Sequence, residues 1–343
     1  MIDFLSIYGI FLAKLITVFI LVVFGLILII SSMKKNPKSE GLKIESLNKR
    51  YQDLEDSLRL IVDGSEKFKK DSKLRKKTDK LSLKKGSKKP RIFVLDFKGD
   101  IRASDTASLR EEVSAILSIA NKKDEVLVRL ENPGGTVHEH GLAASQLMRI
   151  REKGIRLVIS VDKVAASGGY LMACVADHII AAPFAIIGSI GVISASFGFK
   201  NLIEKIGVQR RVYTAGKNKS TLDPFLDEKE EDINRLKNIQ LELHQDFIDV
   251  VEESRGSKLN KNSGIELFSG EFWTGKKAKE LGLIDGLGNA DQILREKFGD
   301  EVEIKKFGKP KGWLAKKISS SQDHADKLIS ILEERSIWQR YGL

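Results

Sequence analysis

The sequence is short of the residues that usually carry redox, metal and triad chemistry. It has one cysteine, Cys174, among 343 residues, which excludes an intramolecular disulfide and leaves the redox compartment unassigned. Cys174 sits in an apolar stretch and reads as a core residue rather than a nucleophile. Histidine is scarce as well, with five, at 138, 140, 178, 244 and 324. No pair of them has a convincing metal-ligand spacing with a third donor, so no metal and no cofactor is assigned. A Ser-His-Asp triad needs a histidine beside the serine and an acid to orient it. His138 is the one tempting candidate, and it reads more simply as a loop or core residue. Aromatic residues make up only 7%.

Charge excess is also missing from most of the chain. The net charge is +11, but thirteen Lys/Arg against two acids between Lys67 and Arg91 account for all of it. The rest is neutral. A basic segment with few interleaved aromatics suits a membrane surface rather than base-reading contacts, so membrane lipid is expected as a partner and nucleic acid is not.

Leu15–Met33 carries no charge and, with Ile7–Ala13 before it, is long enough to span a bilayer. Lys14 lies near one end, where its side chain can snorkel. A cleavable signal peptide fits less well: there is no basic region ahead of the run, the run is too long, and no small-x-small cleavage site follows. The sequence therefore predicts a single-pass anchor over 1–34 and an amphipathic and basic stalk, partly disordered, over 35–90. A folded domain over 91–308 and a basic amphipathic tail over 309–343 complete the division. Lys34, Lys35, Lys38 and Lys43 follow the anchor, which by the positive-inside rule places the folded body in the cytoplasm.

Within the folded region the reading is α/β. Strands are expected at Ile92–Phe97, Glu125–Leu130 and Arg156–Val161, with helices over Ser104–Ala120, capped by Ser104, and His140–Glu152. Alternation of this kind implies a mostly parallel sheet with flanking helices. His178–Phe197 is uncharged, but Pro183, Gly188 and Gly191 suit two buried strands joined by a turn better than a second membrane helix. Lys200–Ile206 is expected as a helix and Val208–Tyr213 as a strand. Asp227–Gly256 reads as a long helix with Leu236, Ile239, Leu243, Phe247 and Val250 on its apolar side. A helical unit over Thr274–Gly288, a helix at Asn289–Phe298 and a strand at Glu301–Phe307 follow.

The chemistry centres on Val164-Ala-Ala-Ser167-Gly-Gly-Tyr170. A strand ending at a serine and turning sharply into a helix lifts the hydroxyl out of the sheet, beside amides that can hold negative charge. A packing turn is the simpler alternative. With histidine poorly placed, a base must come from elsewhere. Thr214-Ala-Gly-Lys217-Asn-Lys219-Ser220 follows a predicted strand on a glycine turn, and either lysine could be pushed into an apolar pocket. Burial disfavours an ammonium, and to act as a base near neutral pH a lysine must drop by roughly 3 units from about 10.4.

Four motifs occur in order: Asn132-Pro-Gly-Gly135, Val164-Ala-Ala-Ser-Gly-Gly-Tyr170, Ile187-Gly-Ser-Ile-Gly-Val192 and Ala215-Gly-x-x-Lys-Ser220. Together with Phe272-Trp-Thr-Gly-Lys-Lys-Ala-Lys-Glu-Leu-Gly-Leu-Ile-Asp-Gly-Leu-Gly288 they resemble the signal peptide peptidase A family, and within it the SohB branch. These are bacterial inner-membrane serine peptidases of the ClpP/crotonase fold. The resemblance, over roughly 91–300, implies a Ser-Lys dyad that hydrolyses signal peptides or other membrane-derived peptides. It implies Ser167 as nucleophile, Lys219 as general base, and Ser189 as the residue that orients the lysine. Gly135 and Gly168 would supply the oxyanion-hole amides. Lys217 would point to the opposite side if the segment is extended.

Longer family members place serine and lysine in two halves of a duplicated chain. This sequence has one copy, so a homo-oligomeric ring could complete each site. Family precedent for signal peptide peptidase A puts the catalytic body outside the cytoplasm, against the flanking charges, and the side stays open. Two other functions share parts of the pattern: a catalytically inactive membrane scaffold and a crotonase-like acyl-CoA enzyme.

Overall fold

The computed structural model describes residues 42–64, 89–216, 222–297 and 303–308, with Lys14, Leu15, Thr17, Glu66, Phe68 and Lys219. The anchor expected over 1–34 (those three residues aside), most of the basic stretch and the tail expected over 309–343 lie outside the described residues. Among the described residues no helix is long and apolar enough to cross a membrane. Contacts divide the chain into two units, residues 1–43 with 309–311 and residues 44–308 with 312–343. The fold that follows is that of the second.

Its centre is a set of apolar runs buried on both faces. Strands β1 (Lys43–Ser46), β2 (Arg91–Lys98), β3 (Glu125–Asn132), β4 (Arg156–Ala166), β5 (His178–Ala181), β8 (Gly286–Leu287) and β9 (Glu303–Gly308) form a sheet in the order β1-β9-β2-β3-β4-β5-β8. Every pairing from β9 to β8 is parallel. Parallel sheets need both faces covered, which is why these strands read as nearly unbroken apolar runs. One face packs Ile92, Val94, Leu127, Val158 and Ile304 against Leu47 of α1 (Leu47–Val62) and Ala290 and Leu294 of α8 (Ala290–Glu296). Helices α2 (Thr106–Ile119), α3 (Val137–Glu152) and α4 (Gly168–Cys174) lie between β2 and β5 in sequence, as crossovers that return the chain to a parallel sheet must. The α/β sheet with flanking helices agrees with the sequence reading.

The β3–β4 register makes the site possible. Leu130 pairs with Val161, but Asn132 pairs with Ala165. The extra residues, with Asp162 and Lys163 exposed, bulge out of the ladder and re-aim the end of β4. Its last residues then pair with β6 (Ile186–Gly188), which runs antiparallel to β7 (Phe272–Thr274). Helices α5 (Lys200–Lys205), α6 (Glu230–Arg255) and α7 (Gly275–Glu280) complete the described elements.

Several local readings need correction. Lys43–Ser46 is a strand beside β9 and Leu47 is buried, so the sheet begins ahead of residue 91. Helix α2 starts at Thr106, after Asp105, while the Ser104 amide donates to Asp100 Oδ1. Val208–Tyr213 forms no strand. It has no described partner strand, and Val208 and Tyr213 are exposed, so its β-forming composition has nothing to pair with. On α6 the apolar side divides: Phe247, with Val251 beside it, is buried, whereas Ile239 near the middle of the helix is exposed.

A buried ion pair locks α6 to the sheet. The Arg255 side chain, fully buried, donates to the Gly282 carbonyl and to Asp285 at 3.1 Å. Burial alone would raise the Asp285 carboxyl. Hydrogen bonds from Arg255, Lys258 and the Ile179 amide outweigh it and hold the group down at about 2. A depressed carboxylate stabilises the fold above its ordinary value of 3.8, and that contribution disappears as pH falls toward about 2. Arg255→Ala leaves Asp285 with Lys258 and the Ile179 amide but removes its buried cation, and is expected to lower unfolding free energy by about 1.5–3 kcal/mol. Urea titration from pH 7 to pH 2 checks both points, with a smaller acid-induced loss in the variant.

Candidate active site

Ser167 stands between the end of β4 and the start of α4, with φ 52° and ψ −123°. Its amide donates to the Gly188 carbonyl at 2.8 Å and its carbonyl accepts from Leu171 N–H at 3.0 Å. Both anchors are backbone, so the strained turn is imposed by β6 and α4 and the hydroxyl is left for other use. A non-glycine residue at positive φ costs of order 1–3 kcal/mol and persists only where its surroundings over-determine it. A nucleophilic serine on a strand-to-helix turn has this geometry.

The Asn132–Gly135 loop lies against this turn. A Cβ on Gly134, whose φ is +96°, would come within 2.8 Å of the Ala166 carbonyl oxygen and of Ser167 Cβ, and 3.1 Å of the Gly168 nitrogen. No side chain fits there, and the glycine lets the loop backbone reach the amide that follows Ser167. Ser167, Gly135 and Gly168 line one cleft of about 140 Å³. Val137, Leu171, Val192, Leu243, Phe247 and Val250 form its apolar wall, and Asp246 is its one charged residue.

The structure brings three of the five expected residues into one cleft and a fourth next to the strand that holds Ser167. Gly135, Ser167 and Gly168 share the cleft. Ser189 follows Gly188, the residue whose carbonyl holds the Ser167 amide, and itself has φ 52° with its amide on the Glu271 carbonyl at 2.6 Å. Lys219 is the exception. It is exposed, on a turn whose amide donates to the Gly216 carbonyl, and it does not line the cleft. Lys217 lies outside the described residues. Ala165, Ala166, Ile186 and Ile187, the small and apolar neighbours of the turn, are buried in the sheet, and Ile190 is buried just beyond β6. The cleft wall comes largely from α6, tied to the Ser189 turn by His244 Nε2, which donates to the Ile190 carbonyl at 3.2 Å.

His138 is exposed. His140 is fully buried, with Nδ1 2.9 Å from the Thr136 carbonyl and Nε2 3.2 Å from Asn132 Oδ1, so neither ring nitrogen is turned to Ser167. The sequence reading gave His140 no role at the site. Its one signal was its position just after the Gly-Gly turn. Cys174 is buried and unpaired, and burial pushes its thiol up to about 12, far from a thiolate nucleophile. Among the described residues no group of three His, Cys, Asp or Glu side chains could hold a metal ion.

Two family models cover nearly the whole sequence: peptidase family S49 N-terminal over residues 3–147, and peptidase family S49 over residues 149–304. The chain belongs to peptidase family S49. Among its S49 relatives, a probable protease SohB of Buchnera aphidicola subsp. Acyrthosiphon pisum is 43% identical over 294 residues, 85% of this chain and 86% of that protein. A probable protease SohB of Haemophilus influenzae is 40% identical over 332 residues, 90% and 93% of the two chains. A Brucella abortus protein named Na(+)/H(+) antiporter NhaA is 48% identical over 235 residues, which is 64% of this S49 chain and 31% of that protein. The chain thus spans about a third of the Brucella relative, whose transport name belongs to that longer protein. The SohB-type resemblance read from the four motifs is the one these comparisons show.

Proposed function

We propose that this chain is a membrane-anchored serine endopeptidase of the bacterial inner membrane, acting through Ser167 and Lys219 on signal peptides or other membrane-derived peptides. The observation that carries it is Ser167 on its strained turn, at the mouth of an apolar cleft lined by Gly135 and Gly168.

In this reading a neutral Lys219 amine takes the Ser167 hydroxyl proton as Oγ attacks a peptide carbonyl carbon. The Gly135 and Gly168 amides hold the oxyanion, each worth roughly 3 kcal/mol in the transition state. The carbon–nitrogen bond then breaks and the leaving amine takes the proton from the lysine. Water, activated by the same amine, cleaves the acyl ester and restores Ser167. Ser189 orients the lysine.

Lys219 is exposed in the single chain, so the reading needs it brought under cover at the cleft. The segment that carries it also exposes Ile193, Phe197, Leu202, Ile206, Val208 and Tyr213, more apolar surface than a lone soluble chain carries comfortably. A neighbouring copy in a ring would bury these side chains and bring Lys219 to a cleft. Membrane attachment through residues 1–34 would raise the local concentration of apolar peptides.

The test uses the full chain in detergent micelles, with apolar signal-sequence fragments and polar peptides of equal length. The apolar set is expected to show at least a tenfold higher kcat/KM. Equal rates, or turnover of acyl-CoA thioesters without peptide cleavage, would remove the reading.

A further inference from the structure

The Asn132 side chain joins several parts of the site. Its Oδ1 accepts the Gly134 amide at 2.9 Å and faces His140 Nε2 at 3.2 Å. Its Nδ2 donates to Met172 Sδ on α4 at 3.2 Å. The Gly134 N–H fixes which way the amide points, because the reverse orientation would set donor against donor. Gly99 packs against the same side chain, and the Asn132 carbonyl oxygen lies against Gly169.

His140 is the platform on the other side. A Cβ on Gly168 would come within 2.5 Å of His140 Cγ, so the Gly168 backbone rests directly on the ring. The ring's second nitrogen faces the Thr136 carbonyl at 2.9 Å. One side chain thus touches the backbone of Gly168 and, through Asn132, the turn that presents Gly135. Both oxygens facing the ring only accept, so a neutral ring serves one at a time. Burial pushes His140 below its ordinary value. The Thr136 carbonyl, Asp100 and Glu139 pull it back up, and His138 lowers it further.

We propose that His140 is a positioning residue for the reaction: acting through Asn132, it fixes the spacing between the Gly135 and Gly168 amides. The proposal rests on the serine-peptidase reading above. A shift of about 1 Å in such a pair can cost about a hundredfold in rate, and the cost falls on kcat because the oxyanion exists only in the transition state.

The experiment compares wild type, Ser167→Ala, His140→Phe and His140→Gln as full chains, measuring kcat, KM and thermal unfolding. Phenylalanine keeps the platform and loses the ring nitrogen that faces Asn132. Glutamine can place a donor near the Nε2 position. Expected are a kcat about 10- to 100-fold lower for His140→Phe, a KM within twofold, and recovery of most of the rate in His140→Gln. A folded His140→Phe with wild-type kcat, a loss confined to KM, or no recovery by glutamine overturns the proposal. Wild-type turnover no greater than that of Ser167→Ala would instead remove the peptidase reading beneath it. If His140→Phe does not fold, the ring nitrogen-15 resonances of His140 in wild type decide. A peptide boronic acid bound at Ser167 is expected to move them, and unmoved resonances overturn the proposal.

Discussion

Ser167→Ala is expected to lower peptide hydrolysis by about 10⁴- to 10⁶-fold, the scale on which loss of a serine nucleophile acts. The fold should survive. The turn is held by the Ser167 amide on Gly188 and the Ser167 carbonyl on Leu171, and alanine keeps both bonds. Alanine also keeps the steric penalty of φ 52°, because that penalty comes from Cβ and not from the hydroxyl. Ser167→Gly removes Cβ and should therefore be as inactive as the alanine variant, yet more stable than it by about 1 kcal/mol. Urea midpoints and turnover measured on the three proteins separate the two effects. Equal stability of the glycine and alanine variants would mean that the turn stores no strain.

Lys219→Ala is expected to cause the second large loss, about 10³-fold or more in kcat, with little change in stability. The side chain is exposed in the single chain, and its loop turn is made by backbone atoms. Lys219→Arg should be as inactive, since a guanidinium does not give up its proton near neutral pH. Because Lys219 does not line the Ser167 cleft of its own chain, the proposed dyad needs either movement of the segment that carries the lysine or a second copy of the chain. Mixing Ser167→Ala with Lys219→Ala separates these routes. If the lysine comes from a neighbour, some sites in a mixed ring receive both intact residues and activity returns. If each chain completes its own site, the mixture stays inactive.

The reasons why some of this was legible in the sequence are local. Parallel strands buried on both faces are apolar throughout, so β2, β3 and β4 stood out from composition alone. The turn at Ser167 was legible because an apolar run ends in small residues and paired glycines, the place where a strand gives way to a helix. The cleft wall was not. Leu243, Phe247 and Val250 were placed correctly on one side of α6, but periodicity tells which side of a helix is apolar, not what it faces. The β4 bulge was hidden too, since Asp162 and Lys163 look like ordinary exposed positions until the register is known. Val208–Tyr213 failed for the opposite reason. Its residues favour a strand, and among the described residues no strand lies beside it to pair with. His140 was missed because a buried histidine on a helix carries no mark in sequence of what its two nitrogens touch.

The central claim is that Ser167 is an activated nucleophile and Lys219 its base. A biotinylated fluorophosphonate added to the full chain in micelles, followed by mass spectrometry of the modified peptides, tests this most directly. The account predicts one modified residue, Ser167, labelled rapidly in wild type and at least a hundredfold more slowly in Lys219→Ala. Labelling elsewhere with Ser167 untouched, or equal labelling rates in the two proteins, would contradict it.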